Sequence, residues 1–371
     1  MRAWREPDPE AMDKARGGDH AADDAATIAE LEARGIDLDP TLDPGAAADR
    51  AGAGAADEAA GRAHAHRAGE ELDAHPHAHG NAGEPPLTGI VGAGAVGTAL
   101  GLAMSRAGWP IVAVSSRDAG RRERFRRLVP GVRAFSEANA VLDEVELVIL
   151  TVPDDALAGI ANELRLYSGQ ALVHTSGLLG AEVLAPARAA GTQIGAFHPL
   201  VAFADTERAV AALHGATVAV EGDDDLVALL ADLAESLGAV AVRLAPGAKA
   251  AYHAAAVLAA GGVVALLDAI VRLGAVTGMD EAGALAVYLP LVRQTLDNAQ
   301  ALGVRDALTG PFTRGDVGTL EAHLVELRRD APEVLDFYRA AGFRELAIAN
   351  ERGVLAPDVA RRLAAALAKT G

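Results

Sequence analysis

From Leu87 onward, short apolar runs alternate with stretches of helical periodicity, the pattern of a parallel sheet whose strands are joined by helical crossovers. The runs that read as strands are LTGIV at 87–91, IVAVSS at 111–116, VRAF at 132–135, VELVILTV at 145–152, ALVHT at 171–175 and IGAF at 194–197. A further pair, ATVAV at 216–220 and AVAVRL at 239–244, brackets a helical stretch at 223–237, and the sheet is expected to end there. This order predicts a doubly wound α/β domain over 87–246. Past Gly247 the strand signal stops and long helical patterns run on, so an all-α domain is expected over 247–371. Residues 1–86 show almost no apolar period and are rich in Ala, Gly, Asp and Glu, which predicts a disordered tail with at most a short helix at 25–33.

Composition narrows the chemistry. The chain has 371 residues, enough for two domains and a tail. Hydrophobic residues make up 51% but aromatics only 4%, so the cores must be built from Ala, Val and Leu at close packing. There is no cysteine, which excludes disulfides, thiolate nucleophiles, iron–sulfur clusters and Cys-ligated zinc. The net charge of −18 argues against wrapping nucleic acid and against an anionic membrane surface. Most of it belongs to residues 1–86, where 8 basic against 19 acidic residues give −11 and leave −7 for the rest. The first residues have scattered charges and no apolar core, so a secretory signal is not expected and the cytoplasm is. The longest apolar run, Ala254 to Leu267, stops at Asp268, short of the roughly 20 residues a bilayer span needs, and reads as a buried helix. In the tail, His64, His66, His75, His77 and His79 would bind a transition metal only if something fixed their geometry, and a solvated histidine tract is the plainer reading. No metal site is expected.

One motif lies where chemistry needs it. Gly92-Ala93-Gly94-Ala95-Val96-Gly97 forms G-x-G-x-x-G between a predicted strand and a predicted helix. Gly92 allows the tight turn, Gly94 lets backbone approach a pyrophosphate, and Gly97 lets helix and strand pack closely. At the end of the second strand, where an Asp or Glu would hold the ribose hydroxyls of NAD, the chain has Ser115-Ser116-Arg117. Two hydroxyls and a guanidinium suit a 2′-phosphate, so NADP(H) is the expected cofactor. Arg121 and Arg122 either extend this pocket or belong to a solvated helix face. Val152 and Pro153, at the carboxyl end of the fourth strand, are expected to line the nicotinamide side, and Asp154 and Asp155 read as a helix cap.

On the substrate side, HTSG at 174–177 and FHPL at 197–200 place Ser176 and His198 at the same edge of the sheet, although both also suit ordinary turns. Lys249 and His253 fall four apart on one helical face. A partly buried lysine would donate a proton readily, whereas a first-turn lysine can equally reach out to water. Between two helical patterns, LTGPFTRGDVGTLEAHL holds Thr313, Arg314, Asp316 and His323; Arg314 either clamps a carboxylate or makes a surface ion pair, and Asp316 suits a helix cap.

Taken in order, GIVGAGAVG, ILTVPDD, HTSG, HPL, KAAYHAAA and LTGPFTRGD resemble the Rossmann-like proteins that carry a C-terminal domain of unknown function, over about residues 87–345. These are similar in turn to ketopantoate reductase, pyrroline-5-carboxylate reductase and the 6-phosphogluconate dehydrogenase type of β-hydroxyacid dehydrogenase. The resemblance implies reduction of a small keto or imino acid by NADPH, with ketopantoate the first candidate. Lys249 matches a lysine that serves proton transfer, and His253 stands where those relatives have a substrate-orienting asparagine. Ala260-Gly261 stands where they have a Ser-Asn pair. In the resulting scheme Asn298 orients the substrate, Arg314 holds its carboxylate and Thr313 is a further substrate contact, and the resemblance supports a homodimer formed through the apolar helices. Two other readings stay open: a non-catalytic NADP(H)-binding sensor, and a dehydrogenase of the prephenate type suggested by the His-Pro pair.

Overall fold

The computed structural model describes residues 84–245 and 247–369. The tail and its histidine tract lie outside the described residues, apart from Glu84 to Pro86. Eight strands form one sheet: β1 (Thr88–Val91), β2 (Ile111–Ser115), β3 (Arg133–Phe135), β4 (Leu147–Leu150), β5 (Ala171–His174), β6 (Gln193–Pro199), β7 (Thr217–Gly222) and β8 (Val240–Arg243). Their spatial order is β3-β2-β1-β4-β5-β6-β7-β8. Each strand falls on one of the predicted runs, with its ends moved by a residue or two.

Helices cover both faces, because the central strands are apolar at consecutive positions and must be buried on two sides. Ile90, Leu147 and Ile149 pack with Leu100 and Met104 of α1 (Ala95–Arg106) and Phe125 of α2 (Ala119–Leu128). Val91, Val148 and Leu150 join Leu142 of α3 (Asn139–Leu142), Leu157 of α4 (Asp154–Glu163) and Leu184 of a 3₁₀ segment (Ala181–Ala190). On the first face, α5 (Thr206–Leu213) adds Leu213, and α6 (Asp224–Ser236) adds Leu226 and Leu230. Burying one such leucine contributes roughly 1.5–3 kcal/mol, so the pattern of alternating faces fixes the strand register.

The sheet departs from the expected parallel arrangement at one pairing. β6 and β7 are antiparallel, with Ala196 opposite Glu221 and His198 opposite Ala219. The cause is the connection: Leu200 N–H donates to Thr217 C=O at 2.8 Å, so the excursion through α5 returns the chain to the same edge it left. β7 consequently runs back along β6 and ends with Glu221 and Gly222.

The chain divides into two compact units between Ala256 and Val257, about ten residues beyond the break expected at 247. The first unit therefore includes most of α7 (Lys249–Val257). The second unit opens with a π turn at Leu258–Gly262, where two glycines weaken the helical ladder. It continues with α8 (Val263–Val276), α9 (Glu281–Leu302), α10 (Val304–Ala307), α11 (Pro311–Arg314), α12 (Val317–Asp330), α13 (Pro332–Glu351) and α14 (Pro357–Ala368). Phe312, Leu320, Leu324, Leu346, Leu363 and Leu367 form its core. The run at 254–267 is not the buried helix its composition suggested: Leu258 is 71% exposed, Val264 66% and, on α9, Leu291 60%. The continuous helix Lys249–Val276 is also long and apolar enough, by length and composition, to cross a membrane, because helical structure carries on past Asp268.

Candidate active site at the carboxyl edge of the sheet

The chain leaves β1 through Gly92, whose φ of +113° is strained for any side-chain-bearing residue. Gly92 N–H donates to Ser115 C=O at 2.8 Å, and Thr151 Oγ1 donates to Gly92 C=O at 2.6 Å, so the turn is tied to the ends of both neighbouring strands. A Cβ on Gly92 would lie 2.5 Å from Thr151 C=O, and one on Gly97 would run into Gly92 C=O and Thr151 Oγ1. Gly94 differs: it is the N-cap of α1, no side chain caps the helix there, and a Cβ on it would meet nothing within 4 Å. Two glycines are thus required by the protein's own packing, while the third leaves open space over the unpaired N–H groups of the first helical turn. β1 lies between β2 and β4, the reversal in strand order where such sheets bind ligands. Gly92 to Gly97 fit a dinucleotide's pyrophosphate.

At the end of β2, Ser115 is buried and Arg117 is exposed. The guanidinium of Arg122 donates to Ser116 C=O at 2.5 Å and Arg117 C=O at 3.2 Å, bracing the turn. Asp118 accepts from Arg121 N–H at 2.9 Å, which caps α2 and holds its carboxyl below the ordinary carboxylate range. Arg117 makes no ion pair among the described residues and is free to meet an anion.

A dense polar cluster lies two strands away. Asp154, in the first turn of α4, accepts from Ser176 Oγ at 2.9 Å, and that oxygen in turn accepts from Leu178 N–H at 3.2 Å and Leu179 N–H at 2.9 Å. Ser176 N–H donates to His174 Nδ1 at 3.1 Å, so the proton of the neutral ring sits on Nε2, which donates to Gly180 C=O at 3.1 Å. Burial, and then the charge of Lys249, pushes His174 down to about 4. Ser176 thus builds the loop that presents Gly177. A Cβ on Gly177 would lie 2.6 Å from His198 Nε2 and would overlap His253 Nδ1, so both imidazoles reach the bare backbone.

His198 Nδ1 is hydrogen-bonded to the Tyr252 hydroxyl at 3.3 Å, and the His198 ring meets those of Tyr252 and His253 edge-on at 5.7 Å. Burial, then the neighbouring His253 and Lys249, pushes His198 down to about 4, while burial pushes Tyr252 up to about 12. Both are neutral at pH 7. Lys249 is 7% exposed, and its Nζ lies 3.6 Å from Glu221 Oε2, close enough for ion pairing but not for a hydrogen bond. Burial lowers the Lys249 pKa, and Glu221 and then Asp154 oppose that effect. Lys249 Nζ and His253 Nδ1 are the buried side-chain nitrogens left without a hydrogen bond among the described residues. Such groups are costly unless a ligand engages them.

The first unit therefore brings Ser176, His198, Lys249 and His253 into one neighbourhood, together with Glu221, Tyr252 and His174, which the sequence did not single out. A signal for Lys249 was present in the composition: Lys14, Lys249 and Lys369 are the only lysines among 33 basic residues. A chain that otherwise uses arginine keeps lysine at its most buried basic position, and lysine is the one of the two that can give up a proton near neutrality. The second unit holds the other candidates. Asn298 is exposed on α9, Thr313 Oγ1 donates to Gly310 C=O at 3.0 Å, and Arg314 pairs with Asp316 at 2.9 Å while staying 62% exposed. Asp316 is the N-cap of α12 but takes Arg314 rather than a backbone N–H, and His323 Nδ1 is bonded to Tyr338 OH at 2.8 Å.

Residues 74–199 match the family described as a Rossmann-like domain, and residues 216–344 match the domain of unknown function DUF2520. Among solved structures, an NADP oxidoreductase assigned in Bacteroides fragilis is 23% identical, with a TM-score of 0.60, over 72% of this chain and 98% of that one. An imine reductase from a Pseudomonas species is 18% identical, with a TM-score of 0.56, over 76% of this chain and all of that one. A 1-pyrroline-5-carboxylate reductase of Streptococcus pyogenes is 16% identical, with a TM-score of 0.50, over 77% and 99%. No curated protein matches the chain.

Proposed function

We propose that this chain, which joins a Rossmann-like domain to a DUF2520 domain, is an NADP(H)-dependent oxidoreductase that reduces a small keto or imino acid, with ketopantoate the first substrate to try. The observation that carries the reading is the buried, unbonded amine of Lys249 on the same sheet edge as the glycine turn. The two are connected: Thr151 holds the turn, Asp154 follows three residues later and takes the Ser176 hydroxyl, and the Ser176 loop carries Gly177 against His198 and His253.

NADPH, when bound, supplies a hydride. Ala93, Gly94, Ala95 and Val96 would hold its pyrophosphate, with Gly92 and Gly97 shaping the turn. Ser115, Ser116 and Arg117 would hold the 2′-phosphate, Arg117 by charge-assisted bonds. Val152 and Pro153 would line the nicotinamide side. Lys249 gives a proton to the substrate oxygen or nitrogen as the adjacent carbon is reduced, and its lowered pKa eases that transfer. His253 Nδ1 orients the substrate, and His198, held neutral, shapes the site without adding charge. Ser176 acts through the loop it builds. Asn298, Thr313 and Arg314 belong to the second unit, where Arg314 is paired with Asp316.

The exposed apolar faces of α8 and α9 support a homodimer formed through the helical unit, because a soluble chain rarely leaves so much contiguous Leu and Val uncovered. Sedimentation in detergent-free buffer at micromolar concentration should give twice the chain mass, and partition into vesicles would reject this part of the reading. For the activity, calorimetry should give tighter binding of NADPH than NADH, and a panel of ketopantoate, pyrroline-5-carboxylate and related keto acids should yield turnover that Lys249→Ala abolishes. Tight NADPH binding with no turnover of any panel member would favour the sensor instead, a reading that His253, in place of the relatives' asparagine, keeps alive.

A further inference from the structure

Resting on the assignment of Lys249 as proton donor, we propose that Glu221 is the positioning residue that keeps the Lys249 amine charged and aimed into the site. The two come from different elements. Glu221 is on β7 opposite Ala196 of β6, which is itself level with His174 at the end of β5, and Lys249 opens α7.

The carboxylate is 3.6 Å from Nζ, inside ion-pair range and outside hydrogen-bond range. Glu221 thus stabilises the ammonium without consuming its N–H groups, and all three donors stay available to a substrate. The side chain of Glu221 is 36% exposed and that of Lys249 8%, so the pair is open to solvent on the carboxylate side only. Glu221 Oε1 is also steered by Gly180, where a Cβ would lie 3.0 Å from it. The other groups around the amine are His174 of β5, His198 of β6, His253 of α7 and Asp154 of α4. The first two are held neutral by burial, and Asp154 is engaged by Ser176. Glu221 is left as the carboxylate nearest the amine. In the reduction, an N–H bond of Lys249 would break as the O–H or N–H bond of the product forms, bound NADPH would supply the hydride for the carbon, and the neutral amine would regain its proton from solvent. Glu221 favours that last step by stabilising the recharged ammonium.

The test follows the lysine directly. With three lysines in the chain, protein labelled with ¹³C at lysine Cε gives three signals, and Lys249→Arg identifies the one from position 249. Lys249 in the intact protein should titrate below free lysine, and in Glu221→Gln it should lose its proton at a roughly five- to tenfold higher proton concentration, the influence of a unit charge at this distance even through water. Glu221→Asp should fall between the two. The alkaline limb of kcat should move with the signal, while KM for NADPH stays unchanged. An unaltered Lys249 titration in a folded Glu221→Gln protein overturns the proposal. If that variant does not fold, Glu221→Asp decides: a Lys249 titration identical to that of the intact protein overturns the proposal equally. Full turnover by Lys249→Arg would instead overturn the proton-donor assignment, leaving the titration to judge Glu221 by itself.

Discussion

Replacing Gly177 with alanine tests whether the imidazoles of His198 and His253 converge on bare backbone. The added methyl would lie 2.6 Å from His198 Nε2 and overlap His253 Nδ1. Reaching ordinary contact needs a displacement of about 1 Å, because nonbonded heavy atoms settle near 3.5–4.0 Å. Neither ring can swing away freely: His198 is tied to Tyr252, and His253 sits on the helix that also carries Lys249. Overpacking of this kind costs roughly 1–3 kcal/mol. For a unit of this size, that lowers the melting temperature by roughly 2–10 °C. The effect on turnover should be larger, since a misplacement of about 1 Å at a catalytic group can cost on the order of a hundredfold in rate. NADPH affinity should hardly move, because Gly92 and Gly97 pack against Thr151 and not against this loop. Thermal unfolding, calorimetry with NADPH and turnover of the best panel substrate read the three quantities separately. A Gly177→Ala protein with wild-type melting and wild-type turnover would refute the convergence of the two rings.

The glycines of the first turn should separate cleanly: Gly94→Ala keeps the fold and weakens NADPH binding, as nothing in the protein opposes its methyl, whereas Gly97→Ala lowers both stability and binding. Calorimetry and urea titration of the pair check this. Ser116→Asp should cut NADPH affinity at least about tenfold and raise relative affinity for NADH, since a carboxylate repels the 2′-phosphate; unchanged preference would place the phosphate elsewhere. Acid should destabilise the protein through His174 and His198. Above pH 6.5 these rings are neutral in both folded and unfolded chains; below it only the unfolded chain takes up their protons, so stability is lost as pH falls toward about 4. The loss is up to roughly 3 kcal/mol for each ring. Urea unfolding at pH 7, 6, 5 and 4 reads it, and a flat profile would contradict the buried neutral state of both.

How much of this was legible in the chain follows from the range of each signal. Strand positions and the glycine turn are local: the alternation of apolar runs with helical periodicity and the spacing of Gly92, Gly94 and Gly97 are set within a few residues, and the structure keeps them. The direction of β7 is not local. It depends on where α5 returns the chain, which a single contact, Leu200 N–H to Thr217 C=O, decides across seventeen residues. The boundary between units was displaced for a similar reason, because the start of α7 is helical in pattern but belongs by contact to the sheet. The exposure of the apolar helices was missed because composition reports what a segment tends to bury and not whether this chain supplies the covering surface.

The candidate site shows the same division. Lys249, His253, His198 and Ser176 were visible as residue types in suggestive places, yet their roles depended on contacts between segments distant in sequence. Ser176 spends its hydroxyl on Asp154 and two backbone N–H groups, which makes it a builder of the loop, while Glu221 drew no notice in a strand otherwise read as apolar. What joins the two is strand register: Glu221 lies opposite Ala196, and Ala196 is level with His174 at the end of β5. That register sets a carboxylate beside the buried lysine at the level where β5 ends, and it supplies the lysine's nearest counter-charge. A buried amine without such a partner holds its proton less readily, because burial disfavours the charged form. The register of β6 with its two neighbours therefore belongs to the chemistry of the site as much as to the architecture of the sheet.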